Sequence, residues 1–154
     1  MMQNIMVASS RLMIKPSSIE EMQNKYEKES DKEMQQAYLE MLECMKLNVG
    51  REEWASDWNI YLLDGTHVGG IGFKGVPDEE GKVEIGYGIN EPFRRNGYAT
   101  EAVGAMVKWA LSNEDVRCVQ AQTEDDNQIS KKVIKKNGFI EVGLGNEGPL
   151  FEVR

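Results

Sequence analysis

The chain has 154 residues, which suits one compact domain over residues 1–154 and leaves little room for a second. Hydrophobic residues make up 40% and charged residues 29%, a globular balance that excludes disordered, collagenous and disulfide-dense classes. Lys and Arg number 18 against 26 Asp and Glu; the net charge of -8 argues against nucleic acid or an anionic membrane as partner and favours cationic ones.

Cys44 and Cys118 lie far apart, and no Cys or His cluster stands beside either to suggest zinc or another metal, so a reducing compartment, the cytoplasm, fits best. Residues 1–10 hold no long apolar run, and no stretch of about 18 apolar residues occurs, which argues against a secretory leader and a membrane span.

In chain order, residues 11–15 (RLMIK) read as a short first strand closed by Pro16, and Ser18 with Glu21 three residues later reads as a helix-opening capping box. Residues 19–47 are helix-rich. Met34, Ala37, Tyr38, Met41, Leu42 and Met45 form one apolar stripe, in which the methionines serve to fill core gaps or to form an adaptable ligand wall. Residues 58–63, the pair Asp64-Gly65 and residues 68–73 read as an antiparallel hairpin, with Asp-Gly taking positive φ at both turn positions.

A further strand covers residues 83–89. Glycines 69, 70, 72, 86 and 88 interrupt these strands and mark bulges, close packing, or places where a ligand approaches the backbone. After Pro92, the stripe Ala99, Ala102, Val103, Met106, Val107, Ala110 predicts a helix ending near Ser112-Asn113. Residues 116–123 then alternate as a strand, Asp126 or Asn127 caps a helix through Lys136, Gly138 ends it, and residues 139–144 and 150–153 supply the last strands.

The stretch carrying chemistry is the junction of strand 83–89 with the helix opening near Gly97-Tyr98-Ala99. Arg94, Arg95, Asn96, Gly97, Tyr98, Ala99 and Thr100 place successive amides at a helix N-terminus, where unpaired donors and the positive dipole end favour phosphate. Gly97 allows close approach, so a pyrophosphate-bearing cofactor suits this geometry. Lys131, Lys132, Lys135 and Lys136 give the last helix a positive patch that could attract such a ligand or simply face solvent.

Residues 83–102 (VEIGYGINEPFRRNGYATEA) resemble the acetyl-CoA-binding motif of the GNAT superfamily of N-acetyltransferases, Q/R-x-x-G-x-G/A, matched by Arg94, Gly97 and Ala99. Residues 127–139 (NQISKKVIKKNGF) resemble its last helix and closing Gly-Phe, and residues 11–17 resemble the opening strand of the branch acting on ribosomal-protein N-termini, polyamines and some small amines. Residues 19–54 are much less specific, and family members differ most there, where helices help to form the acceptor site.

The resemblance implies an α+β fold with a central, mostly antiparallel twisted sheet of about six to seven strands, about four helices, and a splayed cleft between the fourth and fifth strands, here residues 83–89 and 116–123. It implies acetyl-CoA in that cleft, with pyrophosphate on amides from Arg95 to Thr100, pantetheine pairing with backbone near Tyr87, Gly88 and Ile89, and contacts from Asn127 and Ser130. Asn127 reads equally as a helix N-cap.

Glu84 is the candidate base: alternation puts it on one strand face with Gly86 and Gly88, though it reads equally as a surface Glu. Ser130 matches a serine of that branch that protonates or binds the departing thiolate. Where other branches use a tyrosine, this chain has Ile134, which leaves Ser130, Tyr87 or Tyr98 as donors. A backbone N–H near Ile89, where the family commonly has a bulge, is expected to meet the oxyanion. His67, beside the Asp64-Gly65 turn, is expected to be exposed and non-catalytic, and Cys118 to be a strand residue rather than a nucleophile.

The expected activity is acetyl transfer to a primary amine, whether a small amine, a polyamine or a peptide N-terminus. The six net negative charges of residues 20–57 suit a cationic acceptor. The alternative is a non-catalytic acyl-CoA-binding sensor or interaction module, kept open by the missing tyrosine. Open sheet edges could pair two copies into a homodimer.

Overall fold

The computed structural model describes residues 5–154; residues 1–4, the start of the stretch read above as lacking an apolar leader, lie outside the described residues. The strands are β1 (Val7–Ala8), β2 (Leu12–Pro16), β3 (Trp58–Leu62), β4 (His67–Phe73), β5 (Lys82–Ile89), β6 (Cys118–Gln122), β7 (Ile140–Leu144) and β8 (Pro149–Val153). The helices are α1 (Ile19–Lys28), α2 (Lys32–Leu47), α3 (Tyr98–Leu111) and α4 (Gln128–Lys136). One sheet runs β1-β2-β3-β4-β5-β6-β8-β7, with β5 and β6 parallel and every other neighbouring pair antiparallel. This is the expected α+β architecture with four helices; the eighth strand is β1, too short to show a period in sequence.

Local signals act as read, with two differences. Ser18 accepts from the Glu21 amide while the Glu21 carboxylate accepts from the Ser18 amide, a reciprocal cap that starts α1. The helix-rich stretch is two helices, because Asp31 caps a second start at Lys32 by accepting from the Glu33 amide. In the β3–β4 hairpin the turn is shifted by one residue. The Gly65 amide donates to the Leu62 carbonyl and only Gly65 has positive φ (+92), so Leu63-Asp64 are the central pair and Gly65 supplies the left-handed residue after them. Asp64 is held instead by its carboxylate, which accepts from the Thr66 amide and hydroxyl.

The two faces of the sheet differ. Register places Trp58, Ile71, Phe73, Ile85 and Tyr87 on one face, where α3 contributes Ala102, Val103, Met106, Val107 and Ala110 to the main core. Trp109 closes this side against Trp54 (ring centroids 4.9 Å apart), Trp58 (4.9 Å) and Phe73 (6.0 Å). The opposite face carries Asn59, Gly70, Gly72, Glu84, Gly86 and Gly88, so α1 and α2 cannot pack on it as on an apolar layer. They form a second small core of their own, Met22, Leu42 and Met45 with Ala55.

A Cβ added at Gly72 would lie 2.7 Å from the backbone oxygen of Ser56. Gly72→Ala is therefore expected to lose about 1–3 kcal/mol of stability, read by urea unfolding; an unchanged midpoint would show that the Ser56 backbone yields.

Candidate active site

The site begins where β5 loses a neighbour. The β5–β6 ladder covers only Lys82–Glu84 against Cys118–Gln120, and beyond it the strands part, forming the cleft expected between residues 83–89 and 116–123. On the other side, the Lys74 amide donates to Glu84 O and the Asn90 amide to Val68 O, which fixes the alternation of the β4–β5 ladder. Glu84, Gly86 and Gly88 spend their backbone groups on β4, while Ile85, Tyr87 and Ile89 turn theirs toward the open edge.

The bulge expected near Ile89 is absent: β4–β5 pairing runs unbroken from Phe73/Ile85 to Gly69/Ile89, and the register shifts lie elsewhere, in β3–β4 at Ile60/Tyr61 and in β7–β8 at Glu141/Gly143. Simple alternation already aims the Ile89 N–H at the gap. The Ile89 carbonyl is taken by Arg94 Nε at 2.8 Å, so Arg94 braces the strand end as well as lining the cavities.

At the far side of the gap, α3 opens at Gly97, whose φ of +78 no branched residue would favour and whose missing side chain leaves the helix start without a side-chain cap. The first-turn amides of Tyr98, Ala99 and Thr100 are thus unspent, and Arg95 before them also has positive φ (+69). These residues, with Tyr87–Ile89, Phe93, Arg94, Asn127, Ile129, Ser130 and Val133, line a cavity of about 610 Å³. Asn96, read as a phosphate contact through its backbone amide, does not line this cavity, and its side-chain amide donates to the Phe93 and Arg94 carbonyls.

Sequence reasoning missed the brace behind this loop. Arg11, read only as a strand residue, reaches the Asn96 carbonyl (2.9 Å), pairs with Glu101 (2.7 Å) and lies over the Tyr98 ring (4.8 Å). No local pattern links positions 11 and 101. Burial pushes the Glu101 carboxyl up, but hydrogen bonds from Ser9 and from the amide and guanidinium of Arg11, with the Arg11 charge, hold it below the ordinary range. Asn137 ties α4 to α3 by donating to the Thr100 carbonyl at 3.2 Å.

The candidate proton donors meet. Ser130 sits in the first turn of α4, its amide bound to Asn127 Oδ1 at 3.0 Å, which makes Asn127 the N-cap. Ser130 Oγ lies 2.7 Å from Tyr87 Oη. Burial raises the Tyr87 pKa above the ordinary phenol value, with the Ser130 hydrogen bond opposing, so the ring stays a neutral donor near pH 7. Tyr98 is turned to Arg11 instead.

Glu84 faces away from this pair. Its carboxylate accepts from Lys74 Nζ at 2.7 Å and from Gln122 Nε2 at 3.1 Å, beside Gly86 on the other sheet face. There a second cavity of about 790 Å³ is lined by β4 and β5 glycines, Lys74, Tyr38, Met34, Met41, Lys25 and Asp57. Met34 and Met41 thus form wall, whereas Met45 of the same stripe fills core. Lys25 Nζ bridges Asp57 Oδ2 (2.9 Å) and Asn59 Oδ1 (2.7 Å), an arrangement with no signal in sequence because it joins α1 to β3 and the residue before it. Exposed His67 lines the cavity with its ring tilted against Tyr61 (centroids 5.6 Å apart), and Cys118 is fully buried, its thiol pKa pushed up mainly by burial. Lys131 is drawn to Asp125 rather than to the cavity.

The two cavities share Tyr87, Gly88, Ile89 and Arg94, so they meet at the open edge of β5. Among the described residues no helix is long and apolar enough to cross a membrane, and no group of three His, Cys, Asp or Glu could hold a metal.

Comparison with known proteins gives this geometry a class. The acetyltransferase (GNAT) domain family model matches residues 11–140, so the chain belongs to this family. An uncharacterized N-acetyltransferase, YjdG of Bacillus subtilis (strain 168), is 49% identical over 84 residues; these are 54% of this chain and 50% of that relative, so the match spans about half of its length. Among solved structures, RimL, a ribosomal L7/L12 alpha-N-protein acetyltransferase in complex with coenzyme A, superposes with TM-score 0.75 at 16% identity, covering 97% of each chain. A GNAT-family acetyltransferase from Bacillus anthracis gives 0.70 at 21% identity, covering 97% of this chain and 98% of that one.

Because the folded-state pKa of Glu101 is lowered, its contribution is present above the unfolded-state carboxylate pKa and lost as pH falls through the lowered value. The melting-temperature gap between wild type and Glu101→Gln is expected to be open near pH 7 and to narrow as pH falls below the ordinary carboxylate range. A gap independent of pH would deny the carboxylate that role.

Proposed function

We propose that the protein is an N-acetyltransferase that moves an acetyl group from acetyl-CoA directly to a primary amine: a small amine, a polyamine, or a peptide or protein N-terminus. The observation carrying this reading is the meeting of two cavities at Tyr87–Ile89, one ending on uncapped helix amides that suit a pyrophosphate, the other enclosed by α1 and α2. The RimL neighbour, a ribosomal L7/L12 alpha-N-protein acetyltransferase in complex with coenzyme A, supports both the donor and an N-terminal acceptor.

Acetyl-CoA supplies an activated acyl thioester. Arg95, Gly97, Tyr98, Ala99 and Thr100 hold its pyrophosphate, and the open-edge backbone of Tyr87 and Ile89 pairs with pantetheine as an added strand. The Ile89 N–H faces the negative charge building on the carbonyl oxygen. The amine nitrogen attacks the carbonyl carbon and the carbon–sulfur bond breaks. Ser130, hydrogen-bonded to Tyr87, gives its proton to the leaving thiolate and regains one through Tyr87. Before attack, Glu84 accepts the ammonium proton through water, since Lys74 and Gln122 engage both of its oxygens. The second proton, shed by the nitrogen as the amide forms, passes to solvent water.

Acetyl-CoA at about 100 times its Kd is expected to stabilise the fold by about 2.7 kcal/mol, seen as a rise in melting temperature that ATP and NAD do not reproduce. Mass spectrometry of an amine panel then reads transfer. Binding with no product on any amine would favour the non-catalytic alternative, and no thermal shift would reject both.

Ser130→Ala is expected to lower kcat about 100-fold, and Tyr87→Phe by less. Glu84→Gln is expected to lower kcat/KM by about 100-fold near pH 7, with a smaller loss toward pH 10, where the amine deprotonates unaided. If Asp57→Asn gave that profile and Glu84→Gln did not, the base would be Asp57.

A further inference from the structure

Glu84 belongs to a closed hydrogen-bonded ring drawn from separate segments: β5, the β4–β5 connection, the end of β6 and the β7–β8 turn. Its carboxylate accepts from Lys74 Nζ at 2.7 Å and from Gln122 Nε2 at 3.1 Å. Gln122 Oε1 accepts in turn from the Glu147 amide at 3.0 Å, and Lys74 Nζ returns to the Glu147 carboxylate at 3.3 Å. Gln122 is the last residue of β6 and lies past the final β5–β6 pair, Glu84/Gln120, so its side chain spans a gap that the backbones no longer bridge. A backbone N–H can only donate. The Glu147 amide therefore fixes the Gln122 oxygen toward the turn and its NH2 toward Glu84. Burial pushes the Lys74 ammonium down, but the hydrogen bond and charge of Glu84, with those of Glu147, hold it above the ordinary lysine value, so the ring keeps its cation.

The turn is shaped around this amide. The last β7–β8 pair is Leu144/Pro149, and the Gly145 amide closes the turn on the Gly148 carbonyl at 2.8 Å. Gly148 has a φ of +145, and a Cβ on it would fall on the Thr123 carbonyl oxygen, so backbone geometry accounts for that glycine. Gly145 differs. Its φ is not positive, and the three atoms nearest to a Cβ there all belong to the Gln122 amide, with Cδ at 2.5 Å. What excludes a side chain at 145 is Gln122 in its present place.

We propose that Gln122 is the positioning residue of the base: its amide, set by the turn 145–148, keeps the Glu84 carboxylate turned to the β5 face from which the amine arrives. The assignment rests on the transferase reading with Glu84 as base. A carboxylate held at one oxygen still rotates about its last torsion, whereas donors on both oxygens remove that freedom before the amine binds. Each oxygen keeps a second acceptor position, so the fixed carboxylate can still take the water that carries the proton.

The test is steady-state kinetics with an amine that wild type acetylates, beside thermal unfolding with acetyl-CoA. Gln122→Met keeps the length of the side chain and removes its polar ends. It is expected to lower amine kcat/KM about tenfold near pH 7 and by less toward pH 10, with acetyl-CoA KM and its thermal shift as in wild type. Gly145→Ala displaces only the flexible end of Gln122, and is expected to lower kcat/KM in the same way with the unliganded melting temperature preserved. Glu147→Gln keeps the backbone amide on Gln122 and is expected to lose less than Gln122→Met. In the Glu84→Gln background, Gln122→Met and Gly145→Ala are expected to add nothing, leaving about a 100-fold loss instead of the roughly 1,000-fold loss of independent sites.

Losses that multiply, a loss equal at both pH values, an equal rise in acetyl-CoA KM, or an unchanged kcat/KM in Gln122→Met each overturn the positioning role alone. A loss in Glu147→Gln as large as in Glu84→Gln moves the base to Glu147 and overturns the assignment. Full activity in Glu84→Gln removes the base and its positioning residue together. Absence of turnover by wild type with every amine overturns the transferase reading itself, an outcome distinct from all of these.

Discussion

Strand β5 is hydrogen-bonded on both edges only as far as Glu84, and the organisation of the site follows from the edge left open beyond it. A strand edge in a protein interior must be paired, covered or offered to a ligand. Here β6 departs after Gln120, and Arg94 Nε caps only the last carbonyl, that of Ile89. Tyr87 and Ile89 therefore present their backbone groups to a gap, and that gap is where a donor pairing as an extra strand meets an acceptor arriving from the other side.

The same strand separates two chemistries by its pleat. Val83, Ile85, Tyr87 and Ile89 face α3 and α4, with Tyr87 reaching Ser130, while Glu84, Gly86 and Gly88 face α1 and α2. One side is packed with Val, Ile and aromatic side chains to interior density; the other is stripped to backbone and a paired carboxylate. A shift of one residue in register would exchange the two faces, burying Glu84 in the core and placing Ile85 and Tyr87 in the acceptor cavity. The unbroken β4–β5 ladder is therefore as much a part of the site as any side chain on it.

Helix α3 must hold its uncapped start against this edge, and it is fixed at both ends. Trp109, near its C-terminus, sits among Trp54, Trp58 and Phe73, while Glu101, in its first turn, takes Arg11 and Ser9 from the turn between β1 and β2. The aromatic contacts supply buried area and the charged ones direction. Arg11 also holds the Asn96 carbonyl, so the phosphate-facing loop is braced by a residue that itself lines neither cavity.

By itself the sequence determined the elements whose causes are local. The Ser18–Glu21 box, the α3 stripe, the Asn127 cap and the alternation of residues 83–89 each act over a few residues and appear in the fold as read, and the motif of Arg94, Gly97 and Ala99 located the uncapped helix start. Tertiary structure alone decided what depends on partners distant in the chain: the turn shifted onto Leu63-Asp64, the Tyr87–Ser130 hydrogen bond, the Arg11 brace, the Lys25–Asp57–Asn59 cluster, and which glycines are crowded and which face open space. A glycine at 72 and a glycine at 86 are alike in sequence. They differ only because Ser56 O approaches one at 2.7 Å and a cavity covers the other, and such approach is set by how separate elements pack, not by residue spacing.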